Sequence, residues 1–245
     1  MARTLPNSLT FLLVHGAFHG GWCWRHVADR LIQTGARVHT PTMTGLGERA
    51  HLLTRDVGLA TFVDDVIGVI EAEELDDIIL VGHSFGGVVI SGVTDRVPER
   101  IRHSIYLDAL VPRNGQSAIS LLPPETVAIR LRAAQESSAG LSIPVPTGDI
   151  FDLPPGPGRD WVARRIKPHP LASYTDIVAL NGSPGNGRPR SYIRCTAPIY
   201  PAVAPSYERI RTESGWILAD IATGHDAMVT APDTLTDLLL KLAQL

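Results

Sequence analysis

The sequence predicts an α/β domain: a mainly parallel six-stranded sheet, helices on both faces, and one inserted cap. Three observations carry this prediction. Strand-length apolar runs alternate with stretches of helical spacing through residues 1–111. A Gly-x-Ser-x-Gly turn, Gly82 to Gly86, stands between one such run and the opening of a helix. From Pro112 to Arg190 the alternation gives way to a stretch rich in Pro, Gly and Ser, and it resumes afterwards. Strands that alternate with helices build a parallel sheet covered on both faces.

The elements follow in order. Thr10 to Val14 is a buried-strand run that ends at His15-Gly16. Trp24 to Gln33 has helical spacing, and Gly35 is placed to stop it. Arg37 to Thr40 reads as a second strand, followed by a loop to Thr54. Leu59 to Glu73 is a helix with Phe62, Val66, Val69 and Ile70 on one face. Ile78 to Val81 is a strand, and a helix runs from just after Ser84 to about Asp95. His103 to Leu107 is the next strand. Between residues 112 and 190 helical patches are expected near Pro124–Gln135, Asp160–Ile166 and Leu171–Leu180. This stretch reads as a cap over the sheet's C-terminal edge, with residues 1–111 and 191–245 as the core. The closing elements are Ser191–Cys195 (strand), Ser206–Thr212 (helix), Trp216–Asp220 (strand) and Pro232–Ala243 (helix).

Composition narrows the function. A net charge of -3 makes no electrostatic case for a nucleic-acid or membrane partner. No run approaches the ~20 apolar residues of a membrane span. No basic stretch precedes a long apolar run at the N-terminus, so a cytoplasmic setting is the default expectation. Cys23 and Cys195 form neither a disulfide framework nor a metal-ligand pattern and read as small core hydrophobes. No metal and no organic cofactor is expected. Oligomeric state is not legible.

The chemistry starts at Ser84. A strand, a sharp turn bearing serine and a helix make a nucleophile elbow, with glycines where flanking side chains would not fit. A serine hydroxyl needs a base, the base needs an orienting acid, and the oxyanion needs donors. His225, in Thr223-Gly224-His225-Asp226 after the last strand, is the expected base. His83 and His15 read as structural neighbours, and His19, His26, His39, His51, His103 and His169 have no partner pattern. The oxyanion donors are expected to be the backbone N–H groups of Phe85 and Ala17.

Several stretches together resemble one family. His15-Gly16-Ala17-Phe18-His19-Gly20-Gly21-Trp22 is similar to the HGAxHGGW signature of the plant methylesterase and hydroxynitrile-lyase branch of the α/β-hydrolase superfamily. The Gly45-x-Gly47-x-Arg49 loop, the Gly-His-Ser-x-Gly-Gly elbow and His225-x-x-Met228-x-x-x-Pro232 resemble the same branch. The resemblance implies the α/β-hydrolase fold and a cofactor-free, bacterial-type esterase.

Two departures matter. The lyases of the branch carry threonine at the position of Gly16 and lysine directly after the catalytic histidine, where this chain has Asp226. The plant esterases carry the triad acid shortly after the strand ending Cys-Thr, but Cys195-Thr196-Ala197-Pro198 offers none. Asp108, at the end of the strand beyond the elbow strand, is the expected substitute, as in some relatives. The other reading of Asp108 is a loop cap, with Glu208, Asp220 and Asp226 as weaker acids.

A small-molecule ester of small or medium size is the expected substrate, bound between elbow and cap. Phe18, Trp22, Phe151, Trp161 and Tyr174 are the aromatics expected near it, with core packing as the alternative for each. Arg130, Arg132, Arg164 and Arg165 lie in the cap and read either as solvated faces or as recognition of a carboxylate. A non-hydrolytic lyase on the same fold and a ligand receptor remain the alternatives to a serine esterase.

Overall fold

The computed structural model describes residues 8–146 and 151–245. A six-stranded parallel sheet runs through the middle. Its strands are β1 (Thr10–Val14), β2 (Arg37–His39), β3 (Ile78–His83), β4 (Ile101–Leu107), β7 (Arg190–Cys195) and β8 (Trp216–Ile221), in the order β2-β1-β3-β4-β7-β8. The two remaining strands, β5 (Ser142–Ile143) and β6 (His169–Pro170), pair antiparallel within the segment between β4 and β7. The helices are α1 (Arg25–Gln33), α2 (Leu59–Ala72), α3 (Gly86–Arg96), α4 (Pro124–Ser138), α5 (Pro157–Ala163), α6 (Leu171–Thr175), α7 (Ala204–Ile210), α8 (Ala227–Thr230) and α9 (Pro232–Leu242).

The sheet is buried on both faces: β1 and β3 are buried at every position, and the apolar runs over residues 11–14 and 78–81 are continuous, not alternating. Leu12 and Val14 of β1 point to one face with Ile78 and Leu80 of β3, where they meet Phe62, Val66 and Ile70 of α2 and Val89 of α3. Phe11, Leu13, Ile79 and Val81 point to the other, against Val27 and Leu31 of α1 and Leu235 and Leu239 of α9. The period-2 alternation of strand side chains divides one apolar run between two cores. Cys23 and Cys195 belong to the second core as free buried thiols, and burial pushes the pKa of both up.

Two backbone hydrogen bonds tie the start of the segment from 112 to 190 to a later part of it. The Gly115 N–H donates to the Val178 carbonyl, and the Val178 N–H donates to the Gln116 carbonyl. Its α6 is one turn shorter than the sequence spacing suggests, because Asp176 is turned out to accept the Leu59 N–H at 2.8 Å and cap the start of α2. Sequence spacing placed the second helical patch over 160–166, whereas α5 begins at Pro157 because proline favours the first turn of a helix. Pairing of β5 with β6 was not anticipated, since two-residue strands leave no periodicity to read. Among the described residues no helix is long and apolar enough to cross a membrane.

Backbone contact sets the distance between α3 and β1. A Cβ on Gly86 would lie 2.8 Å from both the Val14 and the His15 carbonyl oxygens. Gly86→Ala should therefore destabilise the fold by about 1–3 kcal/mol, as overpacking does. Urea denaturation measures it; a change below about 0.5 kcal/mol would mean that α3 can slide off β1 without cost.

Candidate active site

The site is assembled where four strand ends meet one loop. Ser84 lies between β3 and α3 with φ +54°, left-handed backbone that a non-glycine residue seldom adopts. Two glycines make that turn possible. A Cβ on Gly82 would sit 2.7 Å from the Gly86 carbonyl, while Gly86 itself is pressed against β1. The Ser84 N–H donates to Leu107 O at 3.0 Å, and Ser84 O accepts from Leu110 N–H at 3.0 Å. Both backbone groups of the serine are thus tied to the chain leaving β4.

That chain carries Asp108, itself at φ +41° and buried. Its Oδ1 accepts the Cys195 N–H at 3.2 Å, which fixes the carboxylate to the end of β7. Its Oδ2 lies 2.6 Å from His225 Nδ1, and His225 Nε2 lies 2.9 Å from Ser84 Oγ. With the proton on Nδ1, the imidazole donates to Asp108 and accepts from the serine hydroxyl. Glu208 and Asp220 are engaged elsewhere, with Arg211 and Arg194. Tyr200 stacks on the His225 ring with centroids 4.0 Å apart.

The loop after β1 closes the site from the other side. A Cβ on Gly16 would meet His83 Nδ1 at 2.8 Å and Ser84 Cβ at 3.0 Å, so only glycine lets this loop come so near the serine. Phe18 is clamped: its N–H donates to His169 Nδ1 at 3.2 Å, and its carbonyl accepts from the Lys167 N–H. Ala17 lines the small pocket with Ser84, and neither the Ala17 nor the Phe85 N–H meets an acceptor among the described residues.

Beneath the serine lies a polar layer that no spacing announced. His19 donates through Nδ1 to Ala17 O at 2.7 Å and through Nε2 to Asp226 Oδ2 at 3.2 Å. Burial alone would lower the His19 pKa, but the charge and hydrogen bond of Asp226 outweigh it and raise it. Burial works against the Asp226 charge too, yet His19 holds its carboxyl below the usual carboxylate range. The two form a buried ion pair. His83 donates from Nε2 to the His225 carbonyl at 3.0 Å, and burial keeps it neutral, with a pKa well below the usual value. Burial likewise lowers His15, to about 3, and His169.

His83, His225 and Asp226 bring ligand-type atoms within 4.8 Å of one another. As a metal site the set fits poorly. Both His225 nitrogens are engaged by Ser84 and Asp108, and His83 Nε2 is engaged by the His225 carbonyl, so a cation would have to break the chain.

The aromatics divide. Phe18, Phe85's neighbour Ser84, Phe151 and Tyr174 line a pocket of about 10 Å³ at the serine, room for one water. Phe18, Arg130, Phe151 and Tyr200 also border a wider cavity of about 440 Å³ beyond it. Trp22 and Trp161 line neither of these two cavities; they pack edge to face on each other, centroids 4.9 Å apart, with Trp22 also stacked on His19. Sequence reading missed His19, His169 and Tyr200, because each belongs to the site only through contacts distant along the chain.

The alpha/beta hydrolase family model matches residues 11–238. A carbendazim hydrolyzing esterase from Nocardioides sp. (strain SG-4G) is 44% identical over 95% of this chain and 98% of its own. Methylesterase 2 of Arabidopsis thaliana is 29% identical over 95% of each chain. An extracellular alpha/beta-hydrolase from a Paenibacillus species, described as sharing structural and functional homology with tobacco salicylic acid binding protein 2, superposes with a TM-score of 0.83. It is 25% identical, over 96% of this chain and 98% of its own.

The buried histidines set the pH response of stability. Below pH 6.5 the unfolded chain protonates His15, His83 and His169 while the folded chain does not, so stability falls as pH drops from about 6.5 toward 5. His19 has the opposite sign: its contribution is complete below pH 6.5 and is lost as pH rises through its raised folded value. Asp226 contributes above its unfolded pKa near 3.8 and loses this only as pH falls through its lower folded value. Those three protons correspond to a slope of up to roughly 4 kcal/mol per pH unit, and His39 and His103, whose pKa values burial also lowers, act with the same sign. His83→Gln keeps a donor for the His225 carbonyl and should remove about one of those protons. Denaturant titrations between pH 5 and 7 measure the slope; an unchanged slope in the variant would mean His83 is protonated in the fold.

Proposed function

The chain belongs to the alpha/beta hydrolase family and is a carboxylic ester hydrolase; on that premise we propose that Ser84, His225 and Asp108 are its catalytic triad and that it works through an acyl-enzyme on Ser84. The observation that carries this reading is the unbroken chain of hydrogen bonds from Asp108 through His225 to Ser84, at 2.6 and 2.9 Å.

Ser84 Oγ attacks the ester carbonyl while its proton passes to His225 Nε2. Negative charge gathers on the carbonyl oxygen, where the N–H groups of Ala17 and Phe85 receive it. His225 returns the proton to the departing alkoxide, and the alcohol leaves. A water then gives its proton to the same nitrogen and attacks the acyl carbon; the second collapse restores the serine hydroxyl and releases the acid. Asp108 keeps the Nδ1 proton in place and stabilises the imidazolium at each turn. No metal or organic cofactor is needed for any of these steps.

Residues 112–190 act as the cap, and the substrate lies between them and the elbow. The pocket at Ser84 has room for little more than the scissile carbonyl, so the rest of an ester of small or medium size lies in the wider cavity. Carbendazim, on which the 44% identical relative is named to act, is the first substrate to assay. Two features weigh against a lyase. The tight contacts around Gly16 leave no room for a threonine, and Asp226, in the position of the lyases' lysine, is turned into the ion pair with His19. A receptor would have no use for an intact base-acid chain.

Ser84→Ala should lower kcat on p-nitrophenyl acetate by about 10³-fold or more while leaving the fold intact. Asp108→Asn should lower kcat by about 10²–10⁴-fold with little change in KM, because it disturbs the imidazole tautomer and not binding. Steady-state kinetics with circular dichroism decides both, and a Ser84→Ala protein with near-normal turnover contradicts the assignment.

A further inference from the structure

Arg130 carries a charge in the cavity wall that no carboxylate among the described residues answers; the hydroxyls of Tyr174 and Tyr200 and the Tyr174 ring are what meet it. It lies on α4, whose Thr126, Ile129, Arg130 and Ala133 share one face, and that face borders the 440 Å³ cavity. Arg130 also reaches the small pocket beside Ser84 and His225. Its guanidinium carbon stands 5.0 Å from the Tyr174 ring centroid. Nη1 is shut off from solvent and has no hydrogen-bond partner. Other arginines, such as Arg49, Arg113 and Arg194, are paired with carboxylates, but Arg130 has none among the described residues. Nor does any other Arg, Lys, Asp or Glu line either cavity among the described residues. The one further cation at the pocket, His19, is already matched by Asp226.

A guanidinium withdrawn from water is costly unless an anion meets it. The π-face of Tyr174 and the side-chain hydrogen bonds of Tyr174 and Tyr200 come from neutral groups and offer only part of that compensation. With no carboxylate beside it among the described residues, the guanidinium is open to one from a ligand, and its fork fits a carboxylate through two parallel hydrogen bonds. Building on the hydrolase reading above, we propose that Arg130 selects esters bearing a free carboxylate. These are hemiesters of dicarboxylic acids, with the scissile carbonyl at Ser84 and the carboxylate on Arg130 at the mouth of the wide cavity. Hydrolysis consumes one water and yields the alcohol and the dicarboxylic acid, which should in turn inhibit competitively.

The test compares kcat/KM for the monomethyl esters of glutaric, adipic and pimelic acid with their dimethyl esters. The wild-type protein should favour at least one hemiester by about tenfold or more. Arg130→Met should collapse that ratio by about 10- to 100-fold, chiefly through KM, and Arg130→Lys should restore part of it. Arg132→Met, an exposed arginine on the same helix, should leave both the ratio and the turnover of neutral esters as they are. No hemiester preference in the wild type, or an Arg130→Met protein that loses both ester types alike, overturns the assignment. If Arg130→Met does not fold, calorimetry on Ser84→Ala replaces it: the hemiester should bind at least about tenfold tighter than its diester, and equal affinities refute the proposal. Wild-type turnover of p-nitrophenyl acetate separates the two claims. Its absence defeats the hydrolase reading, whereas turnover without hemiester preference defeats only the role of Arg130.

Discussion

The left-handed backbone at Ser84 is the constraint on which the rest of this structure depends. A serine at φ +54° is tolerated only because the surrounding chain over-determines it. Gly82 and Gly86 allow the turn to close, α3 presses against β1, and the serine's own N–H and C=O both bond to the chain leaving β4. Those last two bonds do more than hold the turn. They lock the exit of β3 to the exit of β4, so Ser84 and Asp108 are placed relative to each other by backbone before any side chain is considered. His225 then needs only to bridge a gap of fixed width, and it does so from the loop after β8 with short hydrogen bonds at both nitrogens.

Beneath this chain the protein buries a second carboxylate–histidine pair. Asp226 is next to His225 in sequence yet serves His19, not its neighbour. The charged His19 donates to the Ala17 carbonyl and so steadies the loop that faces the serine. Neutral His83 holds the His225 carbonyl, and neutral His169 holds the Phe18 N–H. These three histidines thus act as hydrogen-bonding braces, and their differing charge follows from one difference: His19 hydrogen-bonds the Asp226 carboxylate at 3.2 Å, whereas His83 stands 3.7 Å from it and spends its Nε2 on the His225 carbonyl. The low dielectric around them strengthens satisfied bonds and makes unsatisfied ones costly. Against that background the guanidinium of Arg130, with no carboxylate beside it among the described residues, stands out.

Much of this was legible in the sequence, for identifiable reasons. The strands are continuous apolar runs and the helices are amphipathic, so both periods could be read, and the elbow announces itself through its glycines. Asp108 could be named because the alternative position after Cys195-Thr196 holds no carboxylate, which leaves a strand-end Asp in reach of the same histidine. The polar layer was not legible. His19 meets Asp226 across 207 positions and Phe18 meets His169 across 151, and no local pattern encodes such a contact. Trp22 and Trp161 pack on each other, a contact between distant positions that aromatic character alone does not encode. Ends of elements between 112 and 190 shifted because prolines and an outward-turned Asp176 set them, not hydrophobic spacing.

The central claim is that ester cleavage passes through a covalent acyl group on Ser84, and it can be read directly. The protein is mixed with excess p-nitrophenyl butyrate, quenched in acid within the first turnover, and mapped by peptide mass spectrometry. The account predicts a butyryl group on the peptide containing Ser84, appearing with a burst of nitrophenol and absent from Ser84→Ala. Steady turnover with no acyl group on Ser84, or with the acyl group on another residue, would contradict it.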